Sequence, residues 1–196
     1  VKLALGWACW KMCLETHGLR CSGMGILGSA LRPTRPEEAL PVLEAGMALN
    51  QRYWSHDADS ILTAQTSLAN CLSDLGRHDE ALSLNRKIHA RSVTIYGASH
   101  EQVILSGVNV VNTLGHLGLF DEMISLTRDQ LLPAARRTLG NDDNITLGAK
   151  QNLAEALRFN PKCTRGDLRL NQRDAWTPTR LLVPTQATTC SKPRLS

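Results

Sequence analysis

Four side chains near the N-terminus have the residue types and spacing of metal ligands. Cys9, Cys13, His17 and Cys21 follow one another at four-residue intervals, so a helix would carry them along one face. Zinc takes such ligands in a tetrahedral site. All four would extend over about 18 Å of helix axis and therefore cannot reach one ion. The spacing favours buried thiols or a poorly ordered segment, and we predict no metal site.

The rest of the chain shows no pattern of a catalytic or nucleotide-binding site. It contains no P-loop, GxGxxG, HExxH or GxSxG motif, and its histidines do not form the arrangement of a triad. The glycine cluster in residues 23–28 lacks a following Gly-Lys-Ser and indicates a degraded repeat helix instead. We therefore predict no catalytic residue, no cofactor and no enzymatic activity.

Composition indicates a protein with an aliphatic core. The chain has 196 residues, of which 42% are hydrophobic and 4% aromatic, enough to bury a substantial core. No apolar run is long enough for a membrane span, so no membrane partner is expected. The six cysteines include no CxxC pair, which favours a reducing compartment and a cytoplasmic location.

Charge is distributed unevenly around the net value of +4. Residues 37–157 carry nine bases and fifteen acids, whereas residues 158–196 carry eight bases and two acids. A basic tail can contact phosphates. However, only Phe159 and Trp176 among the aromatic residues lie within this segment, which is not the regular interleaving of a nucleic-acid-binding surface, so we expect a solvated tail and no nucleic-acid partner.

The middle of the chain contains an internal repeat. When the sequence is shifted by 42 residues, nine of seventeen positions in 70–86 match those in 112–128, where chance would give about one. The offset becomes 43 after Pro133. Periods of this length are typical of solenoids, in which each unit needs its neighbours to bury its apolar face.

Each unit is predicted to contain two helices. Apolar residues recur at three- and four-residue spacing, Gly76 and Gly118 end the first helix of successive units, and acidic pairs begin the second. These pairs are helix-start charges and not general acids or bases. Ser99 and Gln102 have the spacing of a capping box. Pro133 is expected to kink a second helix near Leu132.

The unit Leu-Ala-x-x-Leu-x-x-Leu-Gly, a short turn and Asp-Glu-Ala-Leu resembles tetratricopeptide repeats (TPRs), and its length resembles the kinesin-light-chain type. The resemblance implies an all-α fold, an α-solenoid of antiparallel helix pairs that forms a superhelix with a period of about 42 residues. It covers about residues 37–157. We expect residues 1–36 to be a degenerate repeat or N-terminal cap, and residues 158–196 to be a disordered tail rich in Pro, Thr and Arg.

In such a superhelix the first helix of every unit lines the concave surface, a groove suited to a peptide. The light-chain type typically has Asn-Asn before Leu-Ala. This chain has Thr66-Ser67, Val108-Asn109 and Gln151-Asn152 in successive units, and an Asn amide can both donate to and accept from a peptide backbone. Further polar residues follow on the same predicted face. The predicted peptide-binding residues are Thr66, Asn70, Asp74, Asn109, Asn112, His116, Asn152 and Glu155.

These features predict a non-catalytic interaction scaffold, resembling a kinesin-light-chain cargo-adaptor region, that binds a partner peptide in its concave groove. The alternative is a regulatory repeat segment of a larger switch ATPase of the NB-ARC-like type, since similar arrays occur beside nucleotide-binding domains. Because a short array exposes apolar end faces, we also expect marginal stability or self-association.

Overall fold

The computed structural model describes residues 18–53 and 58–162, together with Ala8, Lys11 and Met12. Within these residues it contains helices and turns and no strand. The elements are α1 (Gly18–Leu31), α2 (Pro36–Tyr53), α3 (Ala58–Asp74), α4 (His78–Tyr96), α5 (Glu101–His116), α6 (Phe120–Ser125), a π-helical segment (Leu126–Leu131), α7 (Leu132–Thr138) and α8 (Asn144–Phe159).

Helices that follow one another in the chain pack side by side. Helix α1 packs on α2, α2 on α3, α3 on α4 and α4 on α5, and α8 packs on α5, α6 and α7. The first helices of successive units also touch in two places, where α1 contacts α3 and α5 contacts α8. The predicted all-α architecture of paired helices is confirmed, and α1 adds a helix before the region in which the repeat is clear.

Glycines end the helices where the repeat predicts them. Gly76 and Gly118 follow α3 and α5 with φ of +73° and +68°, a conformation that L-residues with a side chain rarely adopt. Gly97 closes α4 with φ of +80°. The repeated Gly is thus a backbone requirement of the turn.

The predicted irregularity at Pro133 takes the form of the π-helical segment. The amide of Leu132 donates to the carbonyl of Thr127, five residues earlier, instead of the usual four, and Pro133 has no amide to donate. A π turn accommodates one additional residue. The segment therefore accounts for the point at which the repeat offset changes from 42 to 43.

The capping box predicted at Ser99 and Gln102 is wrong. Helix α5 begins one residue later than that prediction requires, with His100 as the N-cap. Its Nδ1 accepts from the Gln102 amide at 3.2 Å, while the carbonyl of Ser99 accepts from the Thr138 hydroxyl at 3.0 Å. Because Gln102 is then the second helical residue, its side chain does not hold the capping-box position.

Buried aliphatic residues connect neighbouring helices into continuous cores. The larger core is formed by the helices from α5 through α8. At its centre the side chains of Ile104, Val111, Leu114 and Leu157 are each at most 2% exposed to solvent. A second core joins α2, α3 and the start of α4 around Leu43 and other buried residues. Each helix therefore buries faces against two neighbours, as a solenoid requires.

Helix α1 approaches α2 closely through glycine. A Cβ built on Gly28 would lie 2.5 Å from both Cγ and Cδ2 of Leu43, which is itself 3% exposed. The glycine cluster predicted to be a degraded repeat helix is therefore helical, and one of its glycines sets the contact with the next helix. Most of residues 1–17, and the tail from residue 163, lie outside the described residues.

Replacement of Gly28 by Ala is expected to destabilise the protein by about 1–3 kcal/mol, because the new methyl group would displace the buried Leu43 from its packed position. Gly25 lies in the same helix and has nothing within 4 Å of a built Cβ. Gly25→Ala should therefore raise the free energy of unfolding by about 0.5–1 kcal/mol through helix propensity. Urea unfolding followed by circular dichroism checks both, and equal effects of the two substitutions would contradict this packing.

Candidate functional site

The predicted peptide-binding residues lie on the first helix of each unit. Thr66, Asn70 and Asp74 belong to α3, Asn109, Asn112 and His116 to α5, and Asn152 and Glu155 to α8. Asp74, Asn112, His116 and Glu155 are exposed, while Thr66, Asn70, Asn109 and Asn152 are half-buried. None is part of the buried core, so this polar row is accessible in part along all three helices.

Two of these residues are joined directly across neighbouring units. Nδ2 of Asn152 donates to Oδ1 of Asn112 at 2.8 Å, although the two are 40 residues apart in sequence. The bond shows that the polar faces of α5 and α8 meet at their exposed surface. It leaves the amide hydrogens of Asn112 and the amide oxygen of Asn152 as free bonding capacity, which matches the donor and acceptor of a peptide group.

Other predicted residues are engaged elsewhere. Asp74 forms an ion pair with Nε of Arg32 at 3.1 Å, which ties the end of α3 to the end of α1. The Thr66 hydroxyl donates to the carbonyl of Leu62 in its own helix at 2.8 Å. That bond uses the only hydrogen that the Thr66 hydroxyl could offer to a partner.

His116 stacks on His78, the first residue of α4, with ring centroids 4.8 Å apart and an interplanar angle of 9°. The equivalent positions in the next unit are Phe120 and Phe159, and they stack at 6.2 Å. A ring contact thus recurs at the same place in the repeat. Its recurrence gives His116 a packing role in addition to its place on the polar row.

A cavity of about 1110 Å³ lies between α1, α2 and α3. Thr63 and Ser67 of α3 line it opposite Ser22 and Gly25 of α1. Ser67 occupies the position of the repeat that holds Asn109 and Asn152 in the later units, so in this unit the equivalent position lines the cavity. The small residues at three- and four-residue spacing on α1 and α3 are the sequence signal that could have located the cavity. The full lining is Gly18, Cys21, Ser22, Gly25, Ile26, Ser29, Ala30, Pro33, Leu43, Gly46, Met47, Asn50, Asp59, Ser60, Thr63, Ala64 and Ser67.

The acidic pairs at the helix starts are held in ion pairs. Arg77 binds both oxygens of Glu80 at 2.7 Å, and this bonding lowers the pKa of Glu80. Asp121 accepts from Lys162 and from Asn160, which lowers the pKa of its carboxyl. These carboxylates remain ionised at neutral pH and stabilise the helix ends, as predicted from their periodicity.

The described residues offer no group of three or more His, Cys, Asp or Glu side chains that could hold a metal ion. Of the predicted metal-ligand candidates, Cys9, Cys13 and His17 lie outside the described residues, and Cys21 is buried. Burial raises the pKa of the Cys21 and Cys71 thiols, which makes both poor nucleophiles. Among the described helices none is long and apolar enough to span a bilayer.

Solved structures with the same arrangement of helices are kinesin light chain structures. A Podosopora anserina protein, described as a putative kinesin light chain with nearly identical TPR-like repeats, superposes with a TM-score of 0.72 at 20% identity, over 88% of this chain and 81% of that one. A variant of the same protein gives 0.71 at 20% identity, over 87% and 79%. BtubC (BKLC) from P. vanneervenii gives 0.64 at 14% identity, over 87% and 78%.

No family model and no curated protein matches the sequence. The structural likeness nevertheless covers most of the chain, so the fold is a TPR-like α-solenoid of the kinesin-light-chain type. The predicted fold class and the predicted resemblance are thereby confirmed.

Asn112 and Asn152, whose side chains lie outside the buried core, are expected to contribute little to stability. Asn112→Ala and Asn152→Ala should each change the free energy of unfolding by less than about 0.5 kcal/mol, because both side chains reach the surface. Asn85 is a matched control of the same residue type, 3% exposed and bonded to Thr113 at 3.0 Å. Asn85→Ala should cost about 1–3 kcal/mol, since it leaves buried groups unpaired. Urea unfolding measures all three, and a large loss from either surface variant would show that the asparagines are structural.

Proposed function

We propose that the chain is a non-catalytic scaffold that binds a partner peptide along the polar row of α3, α5 and α8. The observation that supports this most directly is the bond between Asn112 and Asn152 on the exposed surface. It brings amide groups of two successive units together with bonding capacity to spare. Amides placed in this way suit the backbone of an extended segment, whose own donors and acceptors recur at short intervals.

The cavity between α1 and α3 extends this binding surface. Its lining combines hydroxyls, such as those of Thr63 and Ser67, with apolar side chains, such as Met47. A polar row for the peptide backbone and a cavity for a side chain together supply affinity and selectivity. The role resembles that of a cargo-adaptor region, and we place it in the cytoplasm because of the reduced cysteines predicted from the sequence.

The first test measures binding to an array of extended peptides. The double variant Asn109→Ala/Asn152→Ala should bind its selected peptides about tenfold to a hundredfold more weakly, because at least two hydrogen bonds are lost. Asn144→Ala is the matched control, since Asn144 is exposed at the start of α8 and does not belong to the polar row. Equal affinity of the double variant and the control would reject the groove as the binding site.

A second test fills the cavity. Ser67→Trp places a large ring among the lining residues of α1 and α3 and should abolish binding of peptides that insert a bulky side chain there, by exclusion of volume. Isothermal titration calorimetry with a selected peptide measures the loss. Asn144→Trp is the matched control, because Asn144 is exposed and lies outside both the cavity lining and the polar row, and this variant should bind the peptide as the wild type does. Unchanged binding by the Ser67→Trp protein would remove the cavity from the proposed site.

A further inference from the structure

The interface between α4 and α5 differs in chemistry from the equivalent interfaces on either side of it. Two hydrogen-bonded side-chain pairs cross it. Nδ2 of Asn85 donates to Oγ1 of Thr113 at 3.0 Å, and His89 Nδ1 lies 2.9 Å from Oγ of Ser106. We call these four residues the polar interface.

The repeat register shows that neighbouring units fill the same positions with less polar residues. In the preceding unit the equivalents of the four are Leu43, Met47, Ala64 and Cys71. In the following unit they are Thr127, Leu131, Ala149 and Ala156. All of these except Met47 and Ala64 are buried.

Two of these equivalent residues, Thr127 and Cys71, carry a hydrogen-bonding side chain, and neither bonds to the side chain of a neighbouring helix. The Thr127 hydroxyl is satisfied within its own helix by the carbonyl of Met123. The Cys71 thiol, a weak donor, reaches the carbonyl of Pro36 at 3.4 Å. Side-chain pairs that hydrogen-bond between helices at these positions are therefore confined, among the described units, to the α4–α5 contact.

The same contact is the main connection between the two halves of the described chain. Helices α1 and α3 touch, and so do α5 and α8, but α3 and α5 share no comparable contact. The His78–His116 stack belongs to this same α4–α5 contact. Arg86 of α4 also pairs with Glu122 of α6 at the surface, and so links the first half (α1 to α4) to the second (α5 to α8). A change at one helix pair can therefore alter the angle between the halves.

His89 is the titratable member of the polar interface. The Ser106 hydroxyl lies 2.9 Å from the carbonyl of Val103 and at the same distance from Nδ1 of His89, so one hydroxyl joins the ring to the backbone of α5. The groups that face the ring are this hydroxyl and the Val103 carbonyl from α5, with Gly107 of α5 and Leu131 of the π-helical segment near the ring. None of these is charged, so a proton on the ring would have no counterion.

We propose that the α4–α5 interface is a hinge of the solenoid, and that protonation of His89 loosens it. Burial lowers the pKa of His89, and the bond to the Val103 carbonyl opposes this in part. The folded protein therefore resists protonation more than the unfolded chain does. The stabilising effect of neutral His89 is fully present above pH of about 6.5 and is lost as the pH falls from there through the lowered pKa.

The proposal also concerns the groove, and this part rests on the proposed function. The cavity lies on the first half, between α1 and α3, whereas the Asn112–Asn152 bond lies on the second half. A peptide that contacts both must span the hinge. Acid pH would then weaken the binding of such a peptide, while a peptide confined to one half would bind unchanged.

Hydrogen–deuterium exchange of the whole chain, without any peptide, tests the hinge. After correction for intrinsic rates, the backbone amides of α4 and α5 that face each other should exchange about threefold to tenfold faster at pH 5.0 than at pH 7.5. Small-angle scattering should show a larger radius of gyration at pH 5.0. His89→Gln should remove the difference because Gln can donate to Ser106 and does not titrate. His100→Asn keeps an N-cap and removes a different histidine, so it should retain the difference.

A second variant covers the case in which His89→Gln does not fold. His89→Met/Ser106→Ala installs the residues of the preceding unit, Met47 and Ala64, and should show the same exchange at both pH values. A pH response in this variant equal to that of the wild type would overturn the proposal, and so would unchanged wild-type exchange. Absence of peptide binding by the wild type at both pH values, with its exchange response intact, would instead reject the proposed function and leave the hinge in place.

Discussion

The structure depends on one constraint, which is that no helix in it can bury its apolar surface within its own unit. A pair of helices covers one face of each member, and the other face needs the next pair. The constraint explains why Leu114 and Leu157 are fully buried although they lie in different units. It also explains why equivalent contacts recur, such as the ring stacks of His116 and Phe159.

Because the core is continuous, its local chemistry determines where the solenoid can move. An apolar interface such as that around Leu43 is held by close packing, and opening it exposes hydrocarbon to water. Hydrogen-bonded pairs such as Asn85 with Thr113 are different, since water can replace either partner once the helices part. The buried Oδ1 of Asn85 has no hydrogen-bond partner among the described residues, so closure of this interface already carries a cost. The least costly place to bend therefore lies at α4 and α5.

Periodic features could be predicted from the sequence because each depends on a few adjacent residues. The turns at Gly76 and Gly118 need only a positive φ, and the insertion after Pro133 is visible in the repeat offset. Features that depend on distances between helices could not be predicted. The cavity results from the separation of α1 and α3, and the Arg32–Asp74 pair joins residues 42 positions apart. The N-cap of α5 was predicted wrongly for a local reason, because the adjacent residues Ser99 and His100 can both cap a helix. The contact that distinguishes them is tertiary: the Ser99 carbonyl accepts a hydrogen bond from Thr138.

The cavity lies on the first half of the solenoid and the Asn112–Asn152 pair on the second, so the α4–α5 interface sets the distance between them. Under the proposed function, a peptide that contacts both the cavity and the amides of Asn112 and Asn152 would gain its full affinity only when the angle at the α4–α5 interface is correct. Its binding free energy therefore contributes to closing the interface, and by reciprocity a closed interface binds it more tightly. A rigid apolar contact at this position would give higher stability but no such coupling. The two hydrogen-bonded pairs of the polar interface would then be the physical means by which the middle of a short solenoid responds to a bound peptide.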